Sequence, residues 1–181
     1  AIKRLLPSAK VRFNYSISRS ILAVLDQYDG PTNAAVVKAI KDEVNRIITS
    51  NYTITRKRVS MGEATKLYTD LNMPDKVAIL EYREEDYVNL YACDGYINYM
   101  FGYMLPETGL LSAFEMFPYH PGFIIQYPRA ELNGQIPKFV DEPTFGQALK
   151  EAAKWGKIIQ GNSIAKINDY AKDYASAVDF V

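Results

Sequence analysis

"YTITRKRVSMGEATKLYTDL", residues 52–71, decides what kind of fold this chain adopts. Its first half is rich in β-branched side chains and reads as a strand. Ser60 then stands three residues before Glu63, ahead of a helix over "GEATKLYTDL". That spacing is a capping box, in which hydroxyl and carboxylate each satisfy an unpaired backbone N–H of the first helical turn.

Upstream, residues 11–26 mix β-branched and aromatic side chains around a Ser-rich middle, which predicts a hairpin or two short strands. After the turn signal "DGPTN", apolar residues recur at Val36, Val37, Ile40, Val44, Ile47 and Ile48, the spacing of a helix. Thr32 or Asn33 can cap its start, and Asn51 lies near its stop. Downstream, "KVAILEY" and "YVNLYACD" read as two strands around the charged turn "REED". "AFEMFPY" and "GFIIQYP" make a further pair around His120, Pro121 and Gly122.

The expected fold class is α+β: an antiparallel sheet with about two helices packed on it, followed by a C-terminal helical segment. From Pro143 the pattern becomes helical. Phe145, Leu149, Ala152, Trp155 and Ile159 share one face, Ile164, Ile167, Tyr170, Ala171, Tyr174 and Val178 another, with "GNS" between them. The expected division is an α+β domain over 1–142 and a helical connector over 143–181.

With Lys plus Arg and Asp plus Glu both at 21, no overall field draws the chain to nucleic acid or to an acidic membrane. A nucleic-acid role needs a local argument. Cys93 is the single cysteine, so no internal disulfide framework exists, and no run reaches the roughly 18–20 apolar residues of a membrane-spanning helix. A reducing cytoplasmic setting is the expectation. The opening "AIKRLLPSAK" and closing "ASAVDFV" both look cut, which suggests a fragment.

Most catalytic chemistry is missing. The nearest approach to a phosphate loop, "GKIIQGNS" at 156–163, lacks the lysine after its second glycine and follows a helix rather than a strand. His120 is the only histidine, so no multi-histidine metal site can form, and its setting is that of a turn residue. Cys93 reads as a small packed side chain. The "REED" carboxylates read as a solvated hairpin tip, and Arg56, Lys57 and Arg58 as a solvent-facing basic run. Tyr82, Tyr87, Tyr91, Tyr96, Tyr99, Tyr103, Tyr119 and Tyr127 crowd one region, where core or cleft wall is the default role.

Two stretches carry a resemblance: "GYMLPETG" at 102–109 and "PYHPGFIIQYP" at 118–128. Together with residues 57–128 around them they resemble the second additional domain of threonyl- and alanyl-tRNA synthetases, which deacylates mischarged tRNA. The similarity extends to a version of that domain preceding the kinase domain of a bacterial uridine kinase/phosphoribulokinase-like family. The editing enzymes carry Asp-x-Cys-x-x-x-His before Pro-x-Thr-Gly. Alignment on Pro106 and Gly109 puts Asn98, Met100 and Met104 at those three positions. Asn is no carboxylate base, and a thioether does not replace thiolate or imidazole on zinc.

The resemblance thus implies a vestigial editing cleft of Asn98, Met100, Tyr103 and Met104, with Pro106 and Gly109 fixing the turn and the methionines as packed apolar volume. It implies no catalytic residue, cofactor or metal site in this chain. The parent would be an ATP-dependent uridine or nucleoside kinase, with ATP and magnesium in a kinase domain beyond this chain. That domain is the expected partner, a homodimer is compatible with it, and no membrane is involved. Two alternatives stand beside it. A metal-free aminoacyl-tRNA hydrolase requires a solvent-filled cleft at Asn98, Met100, Tyr103 and Met104. An RNA-binding module requires Arg56, Lys57 and Arg58 to share a face with exposed tyrosines.

Overall fold

The computed structural model describes residues 1–172 and Val178, with the backbone alone at Asn14; the expected helical position Tyr174 lies outside the described residues. In chain order the elements are α1 (Ile2–Leu5), β1 (Lys10–Ile17), β2 (Ser20–Asp26), α2 (Ala34–Thr49), β3 (Ile54–Ser60), α3 (Met61–Asp70) and α4 (Pro74–Leu80). β4 (Tyr87–Cys93), β5 (Tyr96–Tyr99), β6 (Glu115–Tyr119), β7 (Gly122–Gln126), α5 (Pro143–Ile158) and α6 (Ile164–Ala171) follow. The fold is α+β, as the patterning predicts, but the strands form two antiparallel sheets rather than one. Two compact units result, Ala1–Thr53 with Leu105–Gly146, and Ile54–Met104 with Gln147–Val181.

The first unit holds the sheet ordered β1-β2-β7-β6. Ser18 and Arg19 turn β1 into β2 with φ of 50° and 59°, the left-handed pair that matches strand twist in a two-residue hairpin. Asn33 caps α2, its side chain accepting the Val36 N–H at 3.1 Å. Ala23, Leu25, Val37, Ile40 and Phe123 form the buried core between α2 and the sheet. β2 and β7 meet so closely that a Cβ on Gly122 would lie 1.9 Å from the Ala23 carbonyl oxygen. At the end of β6 the Tyr119 hydroxyl donates to Asp141 at 2.7 Å, which pushes the phenol up to about 12.

In the second unit the sheet β3-β4-β5 carries α3 and α4. The capping box is present: the Ser60 hydroxyl accepts the Glu63 N–H at 3.2 Å, and Glu63 accepts the Ser60 N–H at 2.8 Å. Val59, Ala64, Tyr68, Leu80, Val88 and Leu90 make the core. On α6, Asp169 accepts the Tyr82 hydroxyl, and Lys172 lies 4.9 Å from the Tyr82 ring centroid.

Three expectations need correction here. "KVAILEY" is not a strand; its apolar residues belong to α4, where Pro74 opens the first turn and Val77 and Leu80, three apart, turn toward the core. "REED" consequently links a helix to a strand and is not a hairpin tip. Arg83 is largely enclosed, its guanidinium 4.9 Å from the Tyr99 ring centroid and 3.0 Å from Glu85. Finally, Asp94 and Gly95, with φ of 47° and 78°, turn β4 back into β5, a strand absent from those expected from the sequence.

Candidate functional site

Pairing across β3, β4 and β5 sorts their side chains onto two faces, because alternate residues of a strand point to opposite sides. Thr55, Lys57 and Val59 align with Ala92, Leu90 and Val88, a face on which Val59, Leu90 and Val88 belong to the core. The other face carries Arg56 opposite Tyr91, Arg58 opposite Asn89, and Tyr91 opposite Asn98. Of the basic run, Arg56 and Arg58 share a face with tyrosines, and Lys57 stands on the reverse.

Both arginines are exposed and stack on aromatic rings. The Arg58 guanidinium lies 4.0 Å from the Tyr87 ring centroid and that of Arg56 4.9 Å from Tyr103. Such pairs hold the cation flat on the negative ring face while its N–H edges stay free. The Tyr91 hydroxyl donates to the Gly102 carbonyl at 3.2 Å, pinning the segment after β5 to this face. The Oδ1 of Asn89 is buried and accepts no hydrogen bond among the described residues, although an unmet acceptor costs about 1–3 kcal/mol.

Asn98, Met100, Tyr103 and Met104 all lie at or just beyond β5. The Asn98 amide is engaged locally: Nδ2 donates to the Tyr96 hydroxyl at 3.2 Å and Oδ1 accepts the Tyr99 N–H at 2.9 Å. Met100 is half-buried and Met104 is 41% exposed, so Met104 is not packed core. Tyr103 is 88% exposed and Phe101 92%. One amide and two thioethers form a poor donor set for zinc, and among the described residues no three His, Cys, Asp or Glu side chains converge. The residues present do not fit an editing-type metal.

Pro-Glu-Thr-Gly, 106–109, has a separate role within the first unit. The buried Thr108 hydroxyl donates to the Ile47 carbonyl at 2.8 Å and accepts the Tyr52 N–H at 2.9 Å. The Thr108 N–H donates to the Tyr52 carbonyl at 2.9 Å. Gly109 donates its N–H to Asn51 Oδ1 at 2.8 Å, and Asn51, with φ 46°, ends α2 in the left-handed conformation typical of helix stops. A Cβ on Gly109 would come 2.3 Å from that oxygen. The motif closes the C-terminus of α2.

Sequence patterning identifies Arg56, Arg58 and the tyrosine-rich region but not Asn89. The available signal is the two-residue period of β3 and β4, which becomes informative only once their register is known.

No family model matches the chain. It is similar to the threonine–tRNA ligase of Oleidesulfovibrio alaskensis, 28% identical over 116 residues, covering 64% of this chain and 18% of the relative. Over 173 residues it is 27% identical to the threonine–tRNA ligase of Enterococcus faecalis, covering 95% of this chain and 25% of that protein. The Syntrophomonas wolfei ligase is 30% identical over 117 residues, 64% of this chain and 18% of the relative. The chain thus spans only about a fifth to a quarter of the length of these relatives.

Proposed function

We propose that this chain is a non-catalytic accessory domain, built like the editing region of a threonine–tRNA ligase, within a cytoplasmic ATP-dependent nucleoside kinase of the uridine-kinase type. The observation that carries the non-catalytic part is the set Asn98, Met100 and Met104, which offers no thiolate, imidazole or carboxylate where deacylation chemistry would need them. The kinase context rests on the stretches 102–109 and 118–128. ATP and magnesium belong to that kinase domain, which is this domain's partner. On α5, Trp155 is 65% and Ile158 74% exposed, a surface suited to meeting the rest of the parent protein or a second copy.

The test has two parts. Incubation with a mischarged threonine tRNA should show no release of the amino acid above the spontaneous rate. Turnover lost on Asn98→Ala or Tyr103→Phe would establish the hydrolase instead. Reading the parent gene past Val181 should reveal a strand followed by Gly-x-x-x-x-Gly-Lys-Ser/Thr; a frame that stops there removes the kinase from the proposal.

A second function, RNA binding, has partial support: Arg56 and Arg58 lie on a sheet face with Tyr87, the buried Tyr91 and the exposed Tyr103, while Lys57, which that reading also places there, stands on the reverse. A base stacks on an exposed ring such as Tyr103 with roughly 1–3 kcal/mol, and arginine adds phosphate contacts. If the face binds single-stranded RNA, Arg56→Gln with Arg58→Gln should lower the slope of log affinity against log salt by about 1.4, at about 0.7 per phosphate contact on a single strand. Tyr103→Ala should weaken binding about 5–100-fold with that slope unchanged. Equal weakening by Lys57→Gln would mean that binding is diffuse rather than confined to this face.

A further inference from the structure

The reverse side of the same sheet holds a recess of about 300 Å³, at the small end of the roughly 300–1,000 Å³ range of small-molecule sites. It lies between α3, which contributes Glu63 and Leu67, and the strands, which contribute Thr55, Lys57, Val59, Leu90, Ala92 and Ile97. The register sets Thr55, Ala92 and Ile97 side by side, and Lys57 beside Leu90. Five of the eight lining side chains are aliphatic. The charged groups are one of each sign.

Both charges are available. Lys57 is exposed and makes no ion pair among the described residues, while its neighbours Arg56 and Arg58 are committed to rings on the other face. Glu63 is fixed by the capping box, and the two hydrogen bonds it accepts from Ser60 both go to Oε2. Those bonds, with the Lys57 charge behind them, hold its carboxyl below the usual range, so it is ionised at neutral pH. Oε1 retains its capacity to accept.

An ammonium and a fixed carboxylate lining an aliphatic recess complement a molecule with a carboxylate, an ammonium and an apolar body. A phosphate or a plain fatty acid would leave Glu63 facing like charge, and an amine alone would leave Lys57 unanswered. We propose that this recess binds a free α-amino acid with an aliphatic side chain, its carboxylate on Lys57, its ammonium on Glu63 and its side chain over Leu90, Ala92 and Ile97. The site is independent of the Arg56 face and of the proposed accessory role.

The experiment is a two-dimensional amide NMR titration of the full chain with leucine and its two half-charged analogues, 4-methylpentanoate and 3-methylbutylamine. For so small a ligand in an open recess, leucine should bind with a Kd of about a millimolar, shifting the amides of Thr55, Lys57, Ala92 and Ile97. Each analogue should bind about fivefold more weakly, the contribution of one exposed charge pair. Glu63→Gln keeps the capping box, since glutamine serves at that position. It should weaken leucine about fivefold and leave 4-methylpentanoate no weaker. Ala92→Leu adds bulk to the lining and should abolish binding with Tm unchanged. Analogues that bind as well as leucine, shifts that lie elsewhere, or no shifts at leucine concentrations well above a millimolar would each overturn the proposal.

Discussion

Gly122→Ala should destabilise the first unit more than any other single-methyl change in the chain. The added carbon would sit 1.9 Å from the Ala23 carbonyl oxygen and 3.0 Å from the Val24 Cα, both backbone atoms of the adjacent strand β2. A flexible side chain could move aside, but a paired strand can yield only by separating from β7 and opening the core around Ala23 and Phe123. Overpacking of a closed core costs about 1–3 kcal/mol, and a backbone obstacle belongs at or above the top of that range. Against a typical stability of about 5–15 kcal/mol this is a large share, equivalent to a fall in Tm of about 6–12 °C. Gly62→Ala provides the contrast. Nothing lies within 4 Å of its added carbon and the position is helical, so stability should rise by about 0.5–1 kcal/mol. Denaturant unfolding of the two variants, with amide exchange at β2 and β7, checks both signs; a Gly122→Ala protein as stable as the parent would show that the strands separate without cost.

Thr108→Val should have the second largest effect. The substitution keeps shape and volume but removes the hydroxyl that serves both the Ile47 carbonyl and the Tyr52 N–H. Thr108 is 5% exposed, so water does not readily replace it. Each orphaned group, on the half-buried Ile47 and Tyr52, costs up to about 1–3 kcal/mol, which puts the loss at about 2–3 kcal/mol. Thr108→Ser retains the hydroxyl and loses a methyl, for about 1 kcal/mol. Chemical denaturation should therefore rank the parent first, Ser next and Val last. The reverse order of Ser and Val would make Thr108 a packing residue. Neither variant should alter whatever binds near Tyr103.

The elements that local chemistry determines were readable from the residues. The Ser60–Glu63 box and the periodicity of α2 specify their helices whatever surrounds them, and the structure contains both. Local evidence failed at residues 74–80, because a run such as "KVAIL" suits a buried strand or a short helix equally. Proline at the first turn and the packing of Val77 and Leu80 against the core decide it. β5 was hidden for a different reason: Asp94-Gly95 is a strong two-residue turn signal, yet the polar and aromatic residues after it lack the usual alternation. At the candidate site, Arg56 and Arg58 were visible as charges, but their separation from Lys57 depends on strand pairing, which is non-local. Asn89 joins them only through that pairing.

The junction at the end of α2 has a consequence for which substitutions cost stability. Thr108 and Gly109 are tied to Asn51, Tyr52 and Ile47 by hydrogen bonds within the first unit, while Asn98, Met100 and Met104 belong to the second. The two sets of residues therefore answer to different folding units. Substitution at the Thr-Gly pair is expected to cost stability, by the loss argued for Thr108→Val, whatever stands at positions 98, 100 and 104. The Thr-Gly pair is thus a folding element of the first unit, held by the end of α2.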